Sequence, residues 1–216
     1  MNLKAIYEYV FYNYPDQYLL VIEGGKLDGN WSNVADHCFI QAIVTEILYQ
    51  RLKPVLPAGS AKLTLEAVEA AICHDWDKRL EKKPEDFTEE EKTHAAQLFT
   101  HAQVKDKLLR ATKPQFLLRV KNHPECVSLT ERLQFFIDDI VHDKVMLFDD
   151  RVSEVEKRSP QPGGPELEAQ LGRKYWDAER ELGHDVEMTI LHYGNFATPQ
   201  GLVDYLNTEL ERRFPG

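Results

Sequence analysis

Apolar residues recur at helical spacing through most of the chain, and no stretch alternates apolar with polar residues over the length of a strand. Residues 3–14 carry apolar and aromatic positions among polar ones and read as an opening helix, which Pro15-Asp16 breaks. Gly24, Gly25 and Gly29 punctuate a loop, and their spacing fits neither a dinucleotide-binding nor a phosphate-loop fingerprint. Ser32 or Asn33 then caps a helix through about Leu52. Val34, Cys38, Ile40, Ile43, Val44, Ile47 and Leu48 load it so densely that it should be buried on more than one side, as a central helix. Pro54, Pro57 and Gly59 connect it to a second apolar helix, for which Thr64 is the expected N-cap and Leu65, Val68 and Ile72 the buried stripe. That helix leads into Cys73-His74-Asp75.

Residues 82–87 are a charged loop, and Thr88-x-x-Glu91 is a capping box that opens a helix bearing His94 and His101. Lys113-Pro114 starts a short helix, Gln115–Lys121, which ends at His123-Pro124. A second capping box, Ser128-x-x-Glu131, opens Leu129–Val145, where Leu133, Phe136, Ile137, Ile140 and Val141 surround Asp138 and Asp139. Ser159-Pro-Gln-Pro-Gly-Gly-Pro165 reads as a linker, followed by helices over about 166–183 and 199–213. In the last of these, Leu202, Leu206, Leu210 and Phe214 form a packing face. The pattern therefore predicts an all-α fold. A helical bundle over residues 1–158 is followed by a linker and a C-terminal helical extension, 159–216, that packs on it.

Composition narrows the function. The chain has 216 residues, enough for a full core, and its hydrophobic content of 43% is ordinary for a globular protein. No apolar run reaches the roughly 20 residues of a membrane span, and the first residues carry no signal-peptide pattern. The three cysteines, Cys38, Cys73 and Cys126, form no C-x-x-C pair and imply no disulfide framework, so the expected location is the cytoplasm. A net charge of −10 argues against a nucleic-acid polymer as partner. A small anionic substrate is compatible with that charge if a metal ion and local cations override the global field.

His37, His74, Asp75 and Asp138 come from three separate apolar helices, which is how helical bundles assemble metal sites from facing side chains. Two imidazoles and two carboxylates suit a divalent ion: Mn, Fe, Co, Ni, Mg or Zn. Four ligands on a six-coordinate ion leave two places for water and substrate. Lys78 lies one turn beyond His74, placed to neutralise Asp75 or hold a substrate anion. Taken singly, a core histidine is more often a packing residue, and helical acids are usually solvated. An acid embedded in an apolar stripe, as at 138–139, is costly unless paired or bound to metal.

Val34-Ala-Asp-His37, then His74-Asp-Trp-Asp-Lys78, then Phe136-Ile-Asp-Asp139 follow the order H…HD…D. Over about residues 30–158 the chain thus resembles the HD-domain superfamily of metal-dependent phosphohydrolases. His37 stands in a segment similar to the superfamily's Val-Ala-Glu-His opening. Lys78 matches the frequent His-Asp-Ile-Gly-Lys form, while Trp76 and Asp77 depart from it. The aromatic-x-Asp segment puts the last ligand on Asp138, with Asp139 the alternative one register away. The resemblance implies hydrolysis of a nucleotide or related small phosphoester by metal-activated water. Asp75 or a nearby acid would orient the water, and Lys78 would contact phosphate.

A subset of that superfamily adds two histidines and a second ion. His101 and His123 fall where that subset has them, with His94 competing for the first place. Some two-metal members use iron and oxygen, so an oxygenase is the alternative activity. A non-catalytic nucleotide-binding or scaffold protein is the alternative from another class. His142, His184 and His192 read as incidental. The segment after Pro165 is left three roles: capping the core, covering the active site, or joining two copies in a homodimer.

Overall fold

Prolines and glycines cut the chain into helices whose apolar faces converge on one helix near the N-terminal third. A computed structural model of the protein describes residues 1–25, 32–56, 60–76, 85, 87–101 and 113–216. Among these the helices, in chain order, are α1 (Leu3–Asn13), α2 (Pro15–Gly25), α3 (Ser32–Leu52), α4 (Ser60–Cys73), α5 (Glu89–His101), α6 (Lys113–Asn122), α7 (Leu129–Ile140), α8 (Phe148–Arg158), α9 (Gly164–Leu171), α10 (Tyr175–Gly194) and α11 (Pro199–Arg213). The described residues contain no strand beyond one isolated antiparallel bridge, Val141 to Val145. The fold is all-α, as the periodicity predicts.

Helix α3 is the central element. Residues Cys38 to Val44 are all buried, and α3 packs against α1, α2, α4, α7, α10 and α11. Each fully buried Ile or Leu there contributes about 1.5–3 kcal/mol of transfer free energy, so burial on several faces outweighs the modest helix propensity of Ile and Val. The C-terminal helices close over its far end. Arg51 Nε donates to the Gly194 carbonyl at 2.7 Å, and Arg213 pairs with Glu46 at 3.1 Å. Val186, Ile190, Leu202, Leu206 and Leu210 belong to the same apolar cluster as α3. No helix among the described residues is long and apolar enough to cross a membrane.

Several boundaries differ from the sequence reading. Pro15 does not merely end α1: it occupies the first position of α2, where its missing N–H is no loss. Thr64 is not an N-cap, because α4 begins at Ser60 and Thr64 lies a turn inside it. Helix α7 stops at Ile140 rather than Val145. Val141 turns extended, and Asn207 of α11 grips the Val145 peptide, accepting from its N–H at 3.2 Å and donating to its carbonyl at 2.9 Å. The expected helix over 166–183 is two, α9 and α10, separated where Gly172 caps α9 at φ +74°. Both capping boxes form. The Ser128 hydroxyl accepts from the Glu131 N–H at 3.3 Å, and the Thr88 hydroxyl accepts from the Glu91 N–H at 3.2 Å.

Candidate metal centre

Three helices each bring one donor to the same point. His37 stands in the second turn of α3, His74 directly follows the last residue of α4, and Asp138 lies in the last turn of α7. His74 is turned inward by its own backbone. Its Nδ1 donates to the Ala71 carbonyl at 2.7 Å, which leaves Nε2 to face the site. This is the orientation that metal-binding histidines commonly receive from a second hydrogen bond. The Cys38 sulfur, 3.7 Å from the same Nδ1, packs beside it.

The distances are regular. His37 Nε2 lies 3.1 Å from His74 Nε2 and 3.1 Å from Asp138 Oδ1, and His74 Nε2 lies 3.1 Å from the same oxygen. Adjacent ligands of an octahedral ion at about 2.1 Å stand about 3.0 Å apart, and those of a tetrahedral ion about 3.3 Å apart. The 3.1 Å edges lie between the two spacings, so the three atoms can share one ion of either geometry. His37, His74 and Asp138 form a group that could hold a metal ion. Asp75 stands at its edge, with Oδ2 3.5 Å from His74 Nε2 and 4.0 Å from His37 Nε2.

Electrostatics separates the two imidazoles. Burial pushes the His37 pKa down, helped by the charge of His74, and the hydrogen bond to Asp138 only partly opposes this. Burial also disfavours charge on His74, but Asp75 foremost, then Cys38 and Asp138, outweigh it and hold its pKa well above the ordinary histidine value. Asp75 and Asp138 thus make this point favourable for positive charge. The Nδ1 of His37 is buried without a hydrogen-bond partner among the described residues.

Behind Asp138 lies a layer of charge that no sequence motif announced. Lys113 Nζ, from the start of α6, lies 2.8 Å from Asp138 Oδ2, bonds Asp139 Oδ1, and stands 3.9 Å from Glu179 Oε1 on α10. Burial opposes the Lys113 charge, yet the three carboxylates hold its pKa well above the usual lysine range. Asp139 and Glu179 are buried, and each keeps one carboxylate oxygen without a hydrogen-bond partner among the described residues.

The remaining predicted residues are placed differently. His123 precedes a short 3₁₀ turn, Pro124–Cys126; its side chain is 66% exposed and its Nδ1 is 3.8 Å from Glu125. It takes no part in the histidine–aspartate triangle, and no second group of three such donors occurs among the described residues. His101 is the last residue of α5, and its side chain lies outside what is described. Lys78 lies outside the described residues altogether. Asp139, the alternative ligand, faces Lys113 instead of the histidines.

Comparison of the chain with protein-family models, with curated proteins and with solved structures found no match.

Proposed function

We propose that the protein is a metal-dependent phosphohydrolase that cleaves a nucleotide or related small phosphoester with metal-activated water. The observation that carries this reading is the triangle of His37 Nε2, His74 Nε2 and Asp138 Oδ1, each 3.1 Å from the others. The order of these residues, with Asp75 beside His74, adds the resemblance to the HD-domain superfamily. A divalent ion in such a place supplies Lewis acidity and lowers the pKa of a bound water. The chain's own residues supply the rest. His37 and His74 present ring nitrogens, and Asp138 presents one oxygen. Asp75 Oδ2, 3.5 Å from His74 Nε2, is positioned to accept a proton from a water beside the triangle. Lys113 is engaged by carboxylates, so in this reading the cation for substrate phosphate is Lys78. A cytoplasmic location and a small phosphorylated partner belong to the same proposal.

The experiment is a metal analysis of the purified protein followed by a phosphate-release screen over nucleotides with Mn²⁺, Fe²⁺, Co²⁺, Ni²⁺, Mg²⁺ and Zn²⁺. A bound divalent ion and turnover that both vanish in His37→Ala support the reading. A chain that retains no divalent ion overturns it.

One feature favours a second reading. Two histidines and one carboxylate converging on one point are also the donor set of iron(II) oxygenases. Oxygen consumption after iron reconstitution, without phosphate release under any of the ions, would decide for an oxygenase.

A further inference from the structure

Asp138 uses its two oxygens for different neighbours. Oδ1 touches both imidazoles, while Oδ2 receives the Lys113 ammonium at 2.8 Å. An ammonium has three donors on a flexible stem and would ordinarily reach for water. Here the Lys113 side chain is 32% exposed, yet its head is directed inward. Asp139, 4% exposed, and Glu179, 1% exposed, hold it there from the core side. Burying two carboxylates to fix one lysine is costly, since each keeps an oxygen unpartnered among the described residues. Packing does not require the arrangement, because apolar residues of similar volume would fill the same space at no such cost.

We propose that Lys113 is a positioning residue that occupies Oδ2 of Asp138 and so restricts this carboxylate to one-oxygen binding of a cation, with Asp139 and Glu179 holding the ammonium in place. The proposal rests on the metal-centre reading. Through Glu179 it gives the C-terminal segment a part in the centre, though no residue of that segment reaches the triangle. Carboxylates bind divalent ions through one oxygen or two, and the choice sets how many places are left for water and substrate. With Oδ2 engaged, two-oxygen binding would require breaking a buried charge-assisted hydrogen bond.

Affinity alone is a poor readout, because removing Lys113 both frees the carboxylate and removes a repelling positive charge. The binding mode is direct. Infrared difference spectra on addition of Mn²⁺ cancel the other acids and report the carboxylate that binds, and the gap between its asymmetric and symmetric stretches is wide for one-oxygen and narrow for two-oxygen coordination. Wild type should show the wide gap, Lys113→Met the narrow one, and Lys113→Arg the wide gap again. Should Lys113→Met fail to fold, the double variant Lys113→Met/Glu179→Gln removes one charge of each sign and should show the same narrowing. An unchanged wide gap in whichever of these variants folds overturns the proposal and leaves the metal centre standing. A wild-type chain with no Mn²⁺-induced difference removes the metal-centre reading, and this proposal with it.

Discussion

Asp138 and Asp139 are chain neighbours with opposite roles: the first touches two imidazoles, and the second is turned to Lys113 in the core. Consecutive helical residues diverge by about 100°, so only one of the pair can face the histidines. Their acidities diverge as well. Burial raises both, but Lys113 and the hydrogen bonds from His37 and His74 bring Asp138 well below the usual carboxylate range. Asp139 stays well above it, because Glu179 and Asp138 add to the effect of burial and Lys113 does not offset them.

Asp138→Asn should therefore abolish retention of a divalent ion, since it leaves an amide where the centre needs an anionic donor. Asp139→Asn should keep the ion, because Asp139 faces Lys113 and not the histidines. Metal per chain after equilibrium dialysis, with helical circular dichroism as the folding control, measures both. The reverse ranking would transfer the ligand role to Asp139.

What could be read in advance follows from the range of the forces involved. The capping boxes at Thr88 and Ser128 are contacts over three residues and are legible from sequence. The central burial of α3 is legible too, because Ile40, Ile43, Val44, Ile47 and Leu48 leave it no polar face wide enough for solvent. The end of α7 was not, since Asn207, far along the chain, holds Val145 out of the helix. Neither was the charge behind Asp138. Lys113 resembled an ordinary helix start, and Glu179 lies in a segment without a motif, so only the tertiary fold brings them together. The histidine–aspartate triangle stood out because three apolar helices each carried one donor.

Gly183 on α10 shows how closely the C-terminal segment packs. A Cβ added there would overlap the ring of Phe148, which is 1% exposed and stacked on Phe136 at 5.5 Å. Gly183→Ala should destabilise the protein by about 1–3 kcal/mol through overpacking. The melting temperature should fall by roughly 2–4 °C for each kcal/mol in a chain of this size. Thermal unfolding followed by circular dichroism tests it, and an unchanged melting temperature would mean that Phe148 can move aside.

At alkaline pH the tyrosines should set the limit of stability. Burial, with the charges of Glu46 and Glu69, pushes Tyr14 up to about 12. Burial likewise raises Tyr7, which donates to Asp36, and Tyr9, which donates to Glu46, as it does the buried Tyr49. A group whose folded pKa lies above its unfolded value, about 10 for tyrosine, contributes stability that is complete below the unfolded pKa. That contribution is lost as pH rises through the folded values. Melting temperature, followed by circular dichroism, should hold level as pH approaches about 10 and fall above it. A melting temperature that stays level well above pH about 10 would contradict these burials.

His123 bears on the number of ions. Its ring is 66% exposed and directed toward Glu125, and it takes no part in the triangle of His37, His74 and Asp138. A ligand for a second ion would have to turn inward and exchange water for a fixed coordination geometry. Among the described residues no other trio of donors waits to receive it. His123→Ala should therefore leave metal per chain unchanged, with folding and turnover close to wild type, because an exposed surface substitution usually changes stability by less than about 0.5 kcal/mol. His74→Ala, measured alongside, should remove the bound ion, since its Nε2 stands 3.1 Å from both other donors of the triangle. Elemental analysis of wild type and both variants after identical loading separates the cases. If His123→Ala halves the metal content, the second-ion arrangement of the HD-domain subset holds for this chain, and the segment from His123 to Cys126 must rearrange when metal binds.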